Sequence, residues 1–424
     1  MRRSVRIAAL TASLATVLSG GLLATVASTS AASASTGPSA HVINLHNAYR
    51  AALARGVPIH KKIIMLPRGA HRAARTGAAG CIEPDGCDMT SGGGSVQHSP
   101  RVYLLLWGPN WGSGGAITDP AGQYLSNLFS GLGASPDAWS TITSQYTDST
   151  GHPSFSGSVL VGVWQDTSAP PVQDQSTLAA EADAFASSQG ITDTTDAQVV
   201  IASQSGTSFS DGFGTQYCAW HSYSNEPYTN LPYLLDVGST CGQNFINAGS
   251  AGTYDGFSII GGHEYAETVT DPYPVSGWFD SNDPYGGEIG DKCAWGGGNW
   301  GGSDPAGDVS LSTGSFAMQS LYSNAVHGCV MSATTTAYAT NPVTGLKASP
   351  RYTQITASWQ ASQNAASYRI RLRTLSGTLV QQATVTGTSY VFHNLKTLHT
   401  YNVFVLANPA APGATTAQVT TKTK

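Results

Sequence analysis

Basic residues are nearly absent from the middle of this chain. Between Val102 and Leu346 there are 22 Asp or Glu residues and one Lys, Lys292, whereas the segment from Lys347 to Lys424 has eight basic residues and no acidic ones. Like charges that come together on folding repel each other unless cations or basic segments intervene, and one lysine cannot neutralise so many acids. The acidic segment also has no Gly-rich phosphate loop and no basic, aromatic surface, which excludes a nucleic acid as its partner.

Long apolar runs are also lacking, except at the N-terminus. Three arginines among the first six residues precede an uncharged, mostly apolar run over 7–26, and the small residues Ala32-Ser33-Ala34 follow it. This order is typical of a secretory signal peptide over 1–34. The apolar run approaches the length of a membrane anchor, but Gly20-Gly21 weakens that alternative. The sequence therefore predicts a secreted protein, extracellular or associated with the cell wall, with no stable membrane insertion after signal cleavage.

Cysteine is scarce, and its spacing excludes the commonest thiolate metal sites. The chain has six cysteines and no Cys-x-x-Cys pair. In an exported protein, an even number of cysteines predicts disulfides. Several connectivities are open, and proximity along the sequence favours Cys81 with Cys87, Cys218 with Cys241, and Cys293 with Cys329.

Segments typical of strands alternate with segments typical of helices between residues 101 and 331. Apolar runs predict strands at 101–108, 159–164 and 197–203, and amphipathic patterns predict helices after Asp119 and over 177–190. This alternation favours an α/β fold with a three-layer core. Residues 35–100, which combine a basic stretch with the linker SGGGS, are predicted to form a basic arm or pro-segment followed by a linker.

The last segment, over 341–424, resembles a fibronectin type III module. Trp359 ends the alternating sequence QITASW, Tyr368 lies in SYRIRLR, and Leu395 precedes Tyr401 with the spacing of a tyrosine corner. The resemblance implies a C-terminal β-sandwich. Because the segment has eight basic residues and no acidic ones, it is predicted to be attracted to an anionic polymer of the cell envelope.

The sharpest local pattern is GGHEYAETVTDP at 261–272. We expect a helix from near Ser258 to just before Pro272, on which His263 and Glu267 share one face because they are four residues apart. In the His-Glu-x-x-His motif of zinc peptidases, the residues at these two positions bind the metal and the intervening Glu is the general base. The pattern therefore predicts a zincin-like active-site helix with Glu264 as the catalytic base.

Carboxylate oxygens dominate this candidate metal site. Glu267 stands where the zinc motif has its second histidine, so the set suits zinc but also harder ions such as calcium. A further ligand must come from another residue, and the candidates are Asp271, Glu288 and Asp291. The alternative interpretation is a solvated polar helix face. Against it, residues 255–328 contain ten acids and one lysine.

Several segments between about 100 and 330 resemble the EXORDIUM or phosphate-induced protein family in order and spacing. They are RVYLLLWG, SQYTD, QYCAWHSY, GGHEYAETVTDP, EIGDKCAW and LYSNAVHGC. The resemblance implies an extracellular, wall-associated protein. The residues that match the family pattern are His263, Glu264, Asp271, Pro272, Glu288 and Asp291.

Three functional hypotheses follow from these patterns. The first is a metal-dependent hydrolase of peptide or wall material, with a divalent metal held by His263 and Glu267. The second is a non-catalytic protein that binds wall glycan, whose partner is a polysaccharide or protein of the cell envelope. The third is a glycoside hydrolase that uses two carboxylates among Glu264, Glu288 and Asp291. The substrate, the oligomeric state and the removal of residues 35–100 stay open.

Overall fold

The structure is a computed structural model that describes most of the chain after residue 36. The described residues are 37–70, 88–281, 283, 287–296, 305–326, 328–333, 343–362, 365, 367–408 and 417–424. The predicted signal peptide and the predicted Cys81–Cys87 disulfide lie outside them.

The elements of the described residues run from a short strand at His41 to a strand that ends at Lys422. The helices are α1 (His46–Arg55), α2 (Pro120–Gly131), α3 (Gln175–Gln189) and α4 (Asp255–Thr270). The strands are β1 (His41–Ile43), β2 (Ile63–Met65), β3 (Thr90–Ser91), β4 (Arg101–Trp107), β5 (Gly112–Ser113), β6 (Ala116–Ile117), β7 (Leu160–Asp166), β8 (Ala197–Ser203), β9 (Ala219–Tyr223), β10 (Pro227–Leu231), β11 (Trp278–Phe279), β12 (Ala306–Leu311), β13 (Gly314–Gln319), β14 (Leu321–Ser323), β15 (Gly328–Val330), β16 (Lys347–Pro350), β17 (Ile355–Ser358), β18 (Ser367–Thr374), β19 (Leu379–Val385), β20 (Ser389–Phe392), β21 (Thr400–Asn408) and β22 (Ala417–Lys422).

A seven-stranded sheet combines five strands of the acidic segment with β1 and β2, which lie within residues 35–100, in the order β1-β7-β4-β8-β10-β9-β2. The pairs from β1 to β10 are parallel, whereas β9 pairs antiparallel with both β10 and β2. Parallel strands buried on both faces are continuous apolar runs rather than alternating ones. This explains the sequence of β4, RVYLLLW, which lies near the centre of the sheet, and the prediction of a mixed α/β fold is confirmed.

Helices pack against both faces of this sheet, and successive residues of β4 show it. Leu104 and Leu106 join a core cluster that contains side chains of α2 and α4. Leu105 and Trp107 join another cluster that contains side chains of α3. Successive strand residues point to opposite faces, so the two clusters lie on opposite sides of the sheet.

The starts of α2 and α3 follow from their capping residues. Asp119 accepts hydrogen bonds from the amides of Ala121 and Gly122. Asp174 and Thr177 form a capping box at the start of α3, and Gly190, in the left-handed conformation, ends that helix. Both helices lie where the sequence predicts them.

Helix α4 differs from the other helices because all sixteen of its residues are buried. It begins at Asp255, three residues before the predicted start near Ser258, and ends before Pro272 as expected. Its hydrophobic residues Phe257, Ile259, Ile260 and Val269 belong to the core cluster. Its charged residues are therefore buried as well, and a buried charge requires a partner or an ion.

The C-terminal segment forms two antiparallel sheets with a shared apolar core. The sheets have the orders β16-β17-β20 and β19-β18-β21-β22, and Trp359 and Tyr368 lie in the core between them. The hydroxyl of Tyr401 accepts a hydrogen bond from the backbone amide of Lys396 at 3.2 Å, next to buried Leu395. This contact is the predicted tyrosine corner, and the arrangement is a β-sandwich.

Two disulfides join segments that are distant in the chain. Cys218 pairs with Cys241 and Cys293 pairs with Cys329, across 23 and 36 residues. These are the pairs that sequence proximity favours, and disulfides are compatible with an extracellular protein. None of the helices in the described part of the chain has the length and apolar character needed to cross a membrane.

The carboxylate of Asp148 fixes the segment that leads into β4 through several hydrogen bonds. These bonds predict that the free energy of unfolding depends on pH. The carboxylate accepts hydrogen bonds from the amide of Val96, the amide and hydroxyl of Thr150 and the amide of Gly151, and it lies 3.0 Å from His98 Nε2. Burial alone would raise the pKa of Asp148, but these hydrogen bonds hold it well below its usual value.

We expect Asp148→Asn to lower the free energy of unfolding by about 1–3 kcal/mol at pH 7. Because the folded-state pKa is depressed, the stabilisation is present above the unfolded-state pKa near 4 and is lost as the pH falls below it. Urea unfolding at several pH values measures this. The control is Asp193→Asn, a change to an exposed carboxylate that forms an ion pair with Arg101. Equal losses at pH 7 and pH 3 for Asp148→Asn would contradict the assignment.

Candidate metal centre

Four parts of the core deliver polar side chains to one buried point. Helix α4 contributes His263, Glu264 and Glu267, and β9 contributes His221. The segment after β11 contributes Glu288 and Asp291, and β13 contributes Gln319. These seven residues are at most 3 % exposed, so their charges are removed from water.

The ring of His263 is oriented by Gln319. Nδ1 of His263 lies 3.2 Å from Oε1 of Gln319, whose amide nitrogen donates to the backbone oxygen of Gly290 at 2.8 Å. This contact fixes the amide, so its oxygen faces the imidazole and favours the tautomer protonated at Nδ1. The other ring nitrogen, Nε2, lies 2.9 Å from Glu267 Oε1 and 3.6 Å from Asp291 Oδ1.

The ring of His221 is held in the same way by Glu264. Nδ1 of His221 lies 3.1 Å from Glu264 Oε2 and 3.4 Å from Glu267 Oε2. Its Nε2 lies 3.4 Å from Glu288 Oε2. Within the part of the chain that the structure describes, Nε2 of neither histidine forms a hydrogen bond. An imidazole with one nitrogen bound to an acceptor and the other directed at carboxylates has the orientation of a metal ligand.

The side chains form two sets that could each hold a metal ion. His263, Glu267 and Asp291 form one set, and His221, Glu267 and Glu288 form the other. Within each set, one ligand atom per residue lies within 4.8 Å of the others. Glu267 belongs to both sets.

The electrostatics of the centre is that of carboxylates crowded together with two imidazoles. Burial alone disfavours the charged imidazoles, but the neighbouring carboxylates raise the pKa of both His221 and His263. Burial raises the pKa of Glu288 and of Asp291 well above the usual range, and other carboxylates, Glu267 among them, raise both further. Without a cation, this crowding favours the protonated forms of these four groups.

The described side-chain contacts of Lys292 are with residues outside the two ligand sets. Nζ of Lys292 lies 3.1 Å from Asp280 Oδ2 and 4.4 Å from the centroid of the Tyr322 ring. In the ion pairs described at the centre, each basic partner is a histidine.

The structure places most of the predicted site residues together. His263, Glu267 and Asp291 share one set, Glu288 lies in the other, and Glu264 contacts His221. Asp271 belongs to neither set. Its carboxylate accepts hydrogen bonds from the backbone amides of Val275, Ser276 and Gly277, so it stabilises the turn after α4.

The sequence prediction missed His221 and Gln319. Glu267 replaces the second histidine of the zinc motif, and the second imidazole of the centre comes instead from β9, more than forty residues earlier in the chain. One signal was present, because His221 interrupts the apolar pattern of CAWHSY in a buried strand. The two disulfides lie next to segments that contribute to the centre. Cys218 directly precedes β9, which contains His221, and Cys293 follows Asp291 by two residues.

Comparisons with known proteins concern only a small part of the chain. No protein-family model matches the sequence, and no curated protein is significantly similar to it. Among solved structures, the fibronectin type III domain of human collagen alpha-1(XX) is similar, with 17 % identity over 22 % of this chain and 90 % of that one, at a TM-score of 0.19. The corresponding domain of human contactin 1 has 20 % identity over 22 % and 87 %, at a TM-score of 0.18.

Gly290 leaves room for the imidazole of His263 on α4. This close approach predicts that adding a single methyl group at position 290 destabilises the protein. A Cβ at Gly290 would lie 2.6 Å from His263 Nδ1 and 2.9 Å from Glu267 Oε1. We expect Gly290→Ala to lower the free energy of unfolding by about 1–3 kcal/mol, as overpacking does. Guanidinium unfolding measures the change.

Gly261 is the matched control, because a Cβ there would meet its nearest neighbours at 3.7 Å, an ordinary contact. Since alanine favours a helix over glycine, Gly261→Ala is expected to leave stability unchanged or raise it by up to about 1 kcal/mol. If Gly290→Ala were as stable as Gly261→Ala, the side chains around position 290 would be less tightly packed than these distances indicate.

Proposed function

We propose that this chain is a metal-dependent hydrolase of peptide or wall material. One observation carries the proposal: His221 and His263 each have Nδ1 against an acceptor and Nε2 directed at carboxylates. Proteins fix the tautomer of a metal-binding histidine through a hydrogen bond at the ring nitrogen that does not bind the metal, which is Nδ1 here. Without a metal ion, the negative charge of the buried carboxylates would be neutralised by protons alone.

Glu264 is the proposed general base. Its Oε2 holds His221, and its Oε1 has no hydrogen-bond partner among the described residues. That oxygen therefore has lone pairs available to accept a proton from a water molecule at the centre. Bound metal ions assist hydrolysis by lowering the pKa of such a water, and the mixed oxygen and nitrogen ligands suit zinc or calcium.

The remaining features of the proposal concern architecture and location. We propose a three-layer α/β core in which α4 is a zincin-like active-site helix, in a secreted, EXORDIUM-like protein of the cell wall. Helices on both faces of the sheet support the first point. The two disulfides support export.

Replacing Glu264 by Gln tests the hydrolase. The amide oxygen keeps the contact with His221 but cannot accept a proton as a carboxylate does, so we expect the metal content to stay and hydrolysis to fall about 100-fold or more. Elemental analysis and product release from protein and purified wall material are the measurements. Glu226→Gln, a change to another buried carboxylate, is the control. Undiminished hydrolysis by Glu264→Gln would exclude this base.

A non-catalytic wall-binding protein is the second candidate, and the burial of the centre favours it. All the ligand side chains are inaccessible to solvent or nearly so, as in a structural metal site. The sandwich also has three exposed basic residues at one end, Arg351, Lys396 and Lys424. Backbone contacts bring them together, since the amide of Lys424 donates to the backbone oxygen of Arg351 and the hydroxyl of Thr423 donates to the backbone oxygen of Lys396.

This candidate predicts retention on anionic wall polymer that decreases as salt increases, because salt screens exposed charges. We expect the triple variant Arg351→Gln, Lys396→Gln, Lys424→Gln to elute at lower salt than the unmodified protein. A control that changes exposed Lys61 and Lys347 to Gln alters charge elsewhere. Elution of both variants at the same salt concentration would exclude the end of the sandwich as the binding surface.

A further inference from the structure

We propose that the centre holds two divalent cations, with Glu267 bridging them. One cation is bound by His263 and Asp291, and the second is bound by His221 and Glu288. This inference rests on the metal binding of the proposed function, but it adds a second ion and assigns His221 and Glu288 to it.

The orientation of Glu267 is the first argument. Glu267 belongs to both ligand sets, and its two carboxylate oxygens face different histidines. Oε1 lies 2.9 Å from Nε2 of His263, and Oε2 lies 3.4 Å from Nδ1 of His221. Oε1 also accepts the backbone amide of Asp291 at 2.9 Å, which fixes the carboxylate. A carboxylate whose oxygens are directed to two separate ligand sets has the geometry of a bridge.

Buried polar atoms without a hydrogen bond at the second set are the second argument. Both oxygens of Glu288, Oε2 of Glu267 and Nε2 of His221 form no hydrogen bonds among the described residues, although all three side chains are fully buried. Buried polar atoms in native proteins nearly always have a partner, and a bound ion is one explanation for exceptions. A cation bound only by His263, Glu267 and Asp291 would leave the imidazole of His221, at 3.4 Å, as the described partner of Glu288.

Charge is the third argument. Glu264, Glu267, Glu288 and Asp291 carry four negative charges when ionised, and two divalent cations match that number. Two-metal centres with ions about 3.5–4 Å apart occur in hydrolases such as phosphatases, nucleases and aminopeptidases, where they bind both the attacking and the leaving oxygen. Two ligand sets that share Glu267, each with its ligand atoms within 4.8 Å of one another, are compatible with such a pair.

Metal stoichiometry tests the proposal on the full-length secreted protein. After equilibration with Mn²⁺ and removal of free ions, we expect two ions per chain in the unmodified protein. His221→Ala and His263→Ala should each retain one ion, and Glu267→Gln should retain fewer than one. His152→Ala, a change to an exposed histidine away from the centre, should retain two.

Electron paramagnetic resonance on the unmodified protein avoids any folding defect of a variant. Two Mn²⁺ ions bridged by one carboxylate give an exchange-coupled spectrum, whereas isolated ions give separate six-line signals. One ion that survives His221→Ala but not His263→Ala would overturn the second site and leave the hydrolase proposal standing. Two coupled ions without hydrolysis would support the second site and exclude the hydrolase. Absence of bound ions would overturn both.

Discussion

The main physical constraint on this structure is the free-energy cost of removing the carboxylates around α4 from water. Glu264, Glu267, Glu288 and Asp291 are removed from water, and their described ion pairs are with imidazoles. An isolated buried charge costs several kcal/mol, so such a cluster persists only if protons or cations balance it. The scarcity of lysine and arginine in the surrounding sequence means that the chain itself provides few alternatives.

The rest of the core can be understood as support for this cluster. Apolar residues on α4 anchor the helix in the main core, and Gly290 leaves space for the imidazole of His263. Asp271 turns the chain after α4 by accepting three backbone amides, which leads it toward the segment with Glu288 and Asp291. The role of Asp271 is therefore to direct the chain, even though its charge made it a candidate ligand.

The sequence predicted features that depend on local patterns. The strands β4, β7 and β8, the capped helices α2 and α3, and the tyrosine corner all follow from periodicity or from short spacings. It predicted the residues of α4 for the same reason, since positions four apart share a helix face. His221 and Gln319 could not be found this way, because β9 and β13 reach α4 only through the arrangement of the fold, which a single sequence does not specify.

The replacement of the second histidine of the zinc motif by Glu267 has a physical explanation in this geometry. A neutral imidazole has one lone pair available for a metal, whereas a carboxylate has two oxygens that can face different ions. In this core the second imidazole is delivered by β9, on the other side of Glu267. A carboxylate at this position can serve the histidines of both elements, and a histidine could serve only one. In the proposed two-ion centre, this departure from the motif is what allows Glu267 to belong to both ligand sets.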